Sequence, residues 1–269
     1  MLLTDIKQSI QQGLMSCYRW ALASGLITTP LGQFLFKHAY FMYKRHLEAG
    51  AIIHLQKLVS PGSWIIDVGA NIGFFSIHFC HWVSAGGKVI ALEPEPKNYS
   101  LLLNTVKKKQ QGGIIEPLSM AADCSDGTAR LALNPLHPGD HRLGLRGLEV
   151  TTISIDTLLA KRNWPTVSLV KIDVQGAEMR VLAGAAQTIA RFSPSFFVEM
   201  DESSLAQFAT SPQEIFTFFK DADYTAHTLQ KQRISEPVTM ASIDQLIKNK
   251  QYTDILFLPI RLRQCQPNH

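Results

Sequence analysis

The sequence predicts an α/β fold, a mainly parallel sheet with helices on both faces, preceded by a helical N-terminal extension. Three observations predict it. Short apolar runs alternate with helical runs from residue 64 to residue 258, the rhythm of βαβ units. The breaker Ser60-Pro61-Gly62-Ser63 separates that alternation from an earlier stretch with a helical period. Over 269 residues, 46% are hydrophobic and 18% charged, enough to bury one large core and too apolar for disorder. The domain limits that follow are 1–60 for the extension and 61–269 for the α/β domain.

The elements follow in chain order. In the extension, Phe34, Ala39, Phe41, Met42 and Leu47 mix with Lys37, Lys44 and Arg45, a basic amphipathic pattern. Its least charged stretch, 20–36, is short for a bilayer span and carries Pro30, so it reads as two apolar helices broken there. Two roles stay open for it: packing on the main domain, and peripheral contact with a membrane surface. The first residues lack a basic segment followed by an apolar run and a cleavage site, so no signal peptide is expected. The expected location is cytoplasmic, with membrane association through residues 1–60 as the alternative.

After the breaker, Trp64-Ile65-Ile66-Asp67-Val68 reads as a buried strand. Residues 74–83 read as a helix, with Phe75, Phe79 and Trp82 on one side. A second strand is expected at 88–92, a helix at 96–109 with Pro96 in its first turn, and a third strand at 114–118. Residues 119–155 are irregular, with strand-like pieces at 129–133 and 149–153. A fully apolar strand at 167–172, a helix at 177–189, strands at 196–200 and 254–258 and a helix at 212–220 complete the pattern. Right-handed crossovers place the strand C-terminal ends on one edge, where ligands bind.

Charge and cysteines exclude little. The net charge of +4 and a pI near 8.8 allow an anionic partner without demanding nucleic acid. Cys17, Cys80, Cys124 and Cys265 are too scattered for a zinc site and read as free thiols of a reducing compartment.

The chemistry starts at the first strand, which runs into Asp67-Val68-Gly69-Ala70-Asn71-Ile72-Gly73-Phe74. Gly69 allows a tight turn and close approach of backbone to a ligand, and Gly73 sits where the next helix packs on the strand. The Gly-x-x-x-Gly spacing is not the G-x-G-x-x-G of a dinucleotide loop, which must deliver backbone donors to a pyrophosphate. A ligand with an ammonium, a carboxylate and a sulfonium in place of phosphate suits this loop, with Asp67 orienting loop and ammonium. Glu93 ends the second strand 20 residues after Gly73, where a carboxylate accepts both ribose hydroxyls. A dehydrogenase also wants that acid, so Glu93 alone does not discriminate. Asp123, after the third strand, is placed either to receive an adenine amino group or simply to serve the turn before Ser125-Asp126-Gly127.

Four pieces together resemble the FkbM-type methyltransferases, over roughly residues 62–259. They are Ile66-Asp67-Val68-Gly69-Ala70-Asn71-Ile72-Gly73, Glu93-Pro94, Thr152-Ile153-Ser154-Ile155-Asp156-Thr157-Leu158, and Leu169-Val170-Lys171-Ile172-Asp173-Val174-Gln175-Gly176-Ala177-Glu178. The last is the most specific; Ala177 stands where the family often has an aromatic. The resemblance implies a Rossmann-like class I methyltransferase domain, S-adenosylmethionine as methyl donor, and O-methylation of a hydroxyl on a small molecule, sugar or glycan. It does not reach residues 1–60.

Methyl transfer to a hydroxyl needs alignment, which supplies effective molarities on the order of 10⁵ M, and help in removing the proton. Asp173 ends the fourth strand beside the expected methyl site. Lys171 shares its face, and either pairs with it or points at the acceptor. Glu178 opens the next helix, as acceptor-side acid or as a complement to the helix dipole. His141 is a base by intrinsic pKa, Asp140 could orient it, and Arg142 could hold an anionic acceptor. Asp173, Glu199 and Asp201 cluster at strand ends, but no metal is assigned there. Two rivals remain: a non-catalytic cofactor-binding or membrane-associated module, and an oxidoreductase, which the glycine spacing disfavours. Nucleic-acid methylation is not expected, because Asp173-Val174-Gln175-Gly176 lacks the prolines and aromatic that stack a flipped base.

Overall fold

The structure, a computed structural model, describes residues 52–83, 86–134, 141–250 and 252–260. The chain divides into two units at the Ile53–His54 junction. The expected helices of residues 1–60 therefore lie largely outside the described residues; of that stretch, Ile53–Leu58 forms a 3-10 helix that buries Leu55.

β1 (Trp64–Val68) is buried from its second residue to its last. A strand buried on successive residues has both faces covered, as in the middle of a parallel sheet. It pairs in parallel with β2 (Val89–Leu92) on one side and β8 (Val167–Ile172) on the other. β3 (Ile115–Leu118) extends the first side; β9 (Ser195–Asp201) extends the second, also in parallel. β11 (Tyr252–Pro259) returns antiparallel between β9 and β10 (Tyr224–His227). The spatial order is β10-β11-β9-β8-β1-β2-β3. The chain leaves β1 toward β2 and comes back beside it as β8, so the switch point lies between β1 and β8, and a crevice must open at their C-terminal ends.

The helices start where local chemistry allows. α1 (Phe74–Cys80) begins at Gly73, whose φ of 90° turns the chain out of the strand. α2 (Pro96–Lys108) has Pro96 in its first turn and Glu95 as N-cap, its carboxylate accepting the Asn98 N–H at 2.6 Å. α3 (Ile155–Ala160) is capped by Ser154, and α7 (Pro212–Asp221) by Ser211. α8 (Met240–Lys250) buries Ile243 and Ile247, one turn apart. One face of the main sheet packs on α3, α7 and α8 in a core that includes Ile66, Val170, Phe196, Phe219 and Phe257. The last two rings stack at 3.9 Å.

Two expectations change. The single helix over 177–189 is two, α4 (Glu178–Ala183) and α5 (Ala186–Phe192). The break at Gly184 has a packing cause: a Cβ there would sit 2.2 Å from the Asp123 carbonyl oxygen. The break also exposes the start of α5, and Asp156 caps it, accepting the Gln187 and Thr188 N–H groups at 2.8 Å each. The stretch 119–155 is not merely irregular. It forms a second sheet, in order β4-β7-β5-β6, from β4 (Ala121–Ala122), β5 (Gly127–Ala132), β6 (Arg142–Gly144) and β7 (Leu148–Ile153). α6 (Glu202–Ala206) follows β9 and is capped by Asp201.

Candidate active site

The crevice at the β1–β8 switch point is lined by Gly69 and Asn71 after β1, Glu93 and Pro94 after β2, Met120 after β3, and Asp173 to Gln175 after β8. Leu131, His141 and Leu143 of the second sheet and its connections close it from the other side. Its atom-free space is about 590 Å³, mouth included.

Each residue arrives there for a local reason. Gly69 has φ +73°, and a Cβ on it would lie 1.9 Å from the Asp173 carbonyl oxygen. The loops after β1 and β8 therefore touch through backbone, which only glycine permits. Ala70 and Gly73 complete the turn, with the Gly73 N–H donating to the Ala70 carbonyl at 2.9 Å. Glu93 is 5% exposed. Its carboxylate accepts the Asn71 N–H at 2.8 Å on one oxygen and the Glu95 N–H at 2.9 Å on the other. Burial pushes its pKa up to about 7, against the pull of those two bonds. The acid thus ties the glycine loop to the end of β2 while facing the crevice.

Below the crevice a chain of polar side chains crosses three strand ends. Ser76 donates to Asp67 Oδ2 at 2.6 Å. Lys171 Nζ lies 3.6 Å from Asp67 Oδ1 and 3.2 Å from Asp173 Oδ2, and donates to the Gly69 carbonyl at 2.9 Å. Gln175 Nε2 then donates to Asp173 Oδ1 at 3.1 Å and to Glu199 Oε2 at 2.6 Å. Asp67 is fully buried, and burial raises its pKa while Lys171 and Ser76 pull it down. A buried carboxylate of this kind needs its cation: removing one partner of such a pair typically costs about 3–5 kcal/mol. Of the two roles open to Lys171, the structure shows pairing. Its side chain is 4% exposed and passes 5.0 Å over the Phe75 ring.

Other candidates fall elsewhere. Glu178 is 2% exposed and absent from the crevice lining. Its Oε1 accepts the N–H groups of Val174 and Gly176 at 3.3 and 3.1 Å, so it shapes the loop that carries Asp173. Asp123 also stays out of the lining. Arg180 grips it through Nε and Nη2 at 2.7 Å each, and the Cys124 N–H adds a third bond. Burial favours the neutral acid, but the Arg180 bonds outweigh it and hold the pKa below the usual carboxylate value. His141 lines the crevice, and its Nδ1 accepts the Asn134 N–H at 3.0 Å. Asp140 lies outside the described residues. The gap between Asp173 and Glu199, open to a cation by sequence, is bridged by the Gln175 amide.

Gln175 and Arg180 were missed by sequence reasoning. Gln175 sits inside the Lys-Ile-Asp-Val-Gln-Gly run, but only its φ of 56° shows that it turns back between two carboxylates. Arg180 is two residues past Glu178 and pairs 57 residues upstream, a contact without a local signal.

The site fits a nucleoside bearing a charged amino-acid tail. A carboxylate on a crevice wall suits vicinal hydroxyls. Met120, Ala121, Ala122 and Leu143 offer an apolar wall for a base. The profile of the Methyltransferase FkbM domain matches residues 67–226, more than half of the chain. The chain belongs to the FkbM methyltransferase family. This FkbM-family chain is 26% identical to the 31-O-demethyl-FK506 methyltransferase FkbM of Streptomyces tacrolimicus, over 54% of its own length and 68% of that protein. It is 32% identical to the hexuronic acid methyltransferase AglP of Haloferax volcanii, over 46% of its own length and half of that one. Among solved structures, the methyltransferase FkbM of Methylobacillus flagellatus matches with a TM-score of 0.46 at 15% identity, covering 74% of this chain and 44% of that one.

Proposed function

We propose that the chain is an S-adenosylmethionine-dependent O-methyltransferase acting on a hydroxyl of a sugar or other small molecule. One observation carries the cofactor assignment: the buried Glu93 carboxylate, fixed by the Asn71 and Glu95 N–H groups, faces the switch-point crevice together with a Gly69–Gly73 bend that lacks the glycine spacing of a pyrophosphate loop. The family and the relatives named above support methyl transfer, and their names favour a hydroxyl acceptor.

When bound, the cofactor supplies an activated methyl group. Glu93 would hold the ribose, and the bend from Gly69 to Asn71 would take the amino-acid tail, with Asp67 stiffened beneath it by Ser76 and Lys171. Asp173, at the mouth of the β8 loop, orients the acceptor hydroxyl, and His141, on the lining of the same crevice, takes its proton. Lys171 and Gln175 hold both oxygens of Asp173, so its position is set before a substrate arrives.

Isothermal titration tests this. S-adenosylhomocysteine is expected to bind with a Kd on the order of micromolar and NADH far more weakly. Glu93→Ala is expected to weaken S-adenosylhomocysteine about 10–100-fold, the loss of charge-assisted bonds to hydroxyls. A thermal melt confirms that the variant stays folded. Tighter binding of NADH, or unchanged affinity in the variant, reverses the assignment.

A further inference from the structure

Beside the cofactor crevice lies a second one, and Leu143 forms part of both walls. Its atom-free space is about 1560 Å³, mouth included. Arg130 of β5, Arg142 of β6 and Arg180 of α4 line it, with Leu133 and Phe208, and its described lining contains no carboxylate.

The strand register shows why the cations gather there. Ala132 faces Arg142 across the β5–β6 pair, and Arg130 faces Gly144. Residues two apart on a strand share a face, so Arg130 and Arg142 stand diagonally on one side of the hairpin. Across this pair their direct opposites are an alanine and a glycine, too small to cover them, while on its other side Arg130 faces Glu149 of β7. Like charges so placed repel unless an anion lies between or beside them. Among the described residues, the carboxylates that meet Arg130 and Arg180 lie off the lining. Glu149 reaches Arg130 at 3.5 Å in an exposed pair that solvent screens. Asp123 takes the Nε and Nη2 of Arg180, fixing a guanidinium that is still half exposed. Its Nη1 has no hydrogen-bond partner among the described residues. A guanidinium fork held in this way matches the two oxygens of an oxyanion.

We propose that this crevice takes the anionic end of the acceptor, a hydroxylated compound bearing a carboxylate or phosphate, and that Leu143 separates the charged end from the reacting hydroxyl beside Asp173. The proposal rests on the methyl-transfer reading of the neighbouring crevice. It adds that the acceptor is acidic, and that three arginines from two strands and a helix select it.

The test is a titration of the full chain, saturated with S-adenosylhomocysteine, followed by ¹⁵N NMR of the arginine Nε–H groups. The probes are D-glucuronate, D-glucose 6-phosphate and D-glucose. One or both anions should shift Arg130, Arg142 and Arg180 along a saturable curve, and the anion that does so tells carboxylate from phosphate. Glucose should leave them unmoved. Arg130→Gln combined with Arg142→Gln should raise the Kd about tenfold or more. Shifts no larger than those of the exposed Arg233, an equal response to glucose, no saturation with either anion, or an unchanged Kd in the double variant would each overturn the proposal. Amide signals from Gly69 to Gly73 report cofactor binding in the same spectra. A failed methyl-donor site and a failed anion site therefore give different results.

Discussion

Glu178 illustrates what burial does to one acid. Its Oε1 accepts two backbone N–H groups, while its buried Oε2 has no hydrogen-bond partner among the described residues. Burial raises its pKa from 4.5 to about 7. Between those two values the folded protein holds a proton that the unfolded chain has released. Stability therefore falls as pH rises through that window. Glutamine keeps the Oε1 acceptor and cannot ionise. Glu178→Gln is thus expected to be more stable than the parent at pH 8, by about 1–3 kcal/mol, and to lose that advantage near pH 5. Thermal melts across that range measure it; a variant that melts lower at pH 8 contradicts the account. Glu93 contributes a slope of the same sign, so the variant should keep part of the pH dependence. The sequence placed Glu178 at the start of a helix, but it left two roles open for the acid. The choice depends on Gly176, whose φ of 109° folds the preceding loop back over the carboxylate, and nothing in the residue spacing encodes that turn.

The break between α4 and α5 shows what a short element can do. Asp123 carries its own carbonyl against Gly184 and its carboxylate against Arg180, so one residue of the β4 connection is packed on both α4 and the break that ends it. Adding a methyl group at Gly184 forces that carbonyl away and favours a continuous helix. Gly184→Ala is expected to lower stability by about 1–3 kcal/mol, as overpacking against backbone does, with the drop read from a urea unfolding curve. A variant with the parent midpoint would mean that the contact yields freely. Strands β1, β2 and β8 were legible because a strand covered on both faces is apolar at nearly every position. The break was not, since Leu182, Ala183, Ala185 and Ala186 are good helix formers and one glycine among them is a weak stop signal. β10 escaped notice because Tyr224-Thr225-Ala226-His227 is too short to show a period, and α8 was missed as well, although Ile243 and Ile247 carry a helical spacing.

For the whole molecule, the cofactor side was more legible than the acceptor side. Glu93 and the glycine turn follow from the parallel sheet, whose period is plain in the sequence. The second sheet is built from strands as short as Ala121–Ala122 and half open to solvent, so its residues are mixed in character and part of its pairing is set by distant contacts. Among the described residues, no helix is long and apolar enough to cross a membrane. The basic amphipathic pattern around Lys37, Lys44 and Arg45 motivates peripheral contact instead. The full chain is expected to float with vesicles containing phosphatidylglycerol at low salt, and a Lys37→Glu, Lys44→Glu, Arg45→Glu triple variant to stay at the bottom of the gradient. Identical behaviour of the two would leave that segment without a lipid role.

The hairpin of β5 and β6 has a consequence for how such an enzyme could diversify. Among the described residues it meets the crevice floor through Leu131, His141 and Leu143, whereas Asp67, Lys171 and Asp173 are locked to one another across the parallel strands. Substitutions on the hairpin's outer positions can retune which acceptor is chosen without disturbing the methyl source, so novelty in this scaffold should accumulate on one ribbon while its partner layer stays fixed.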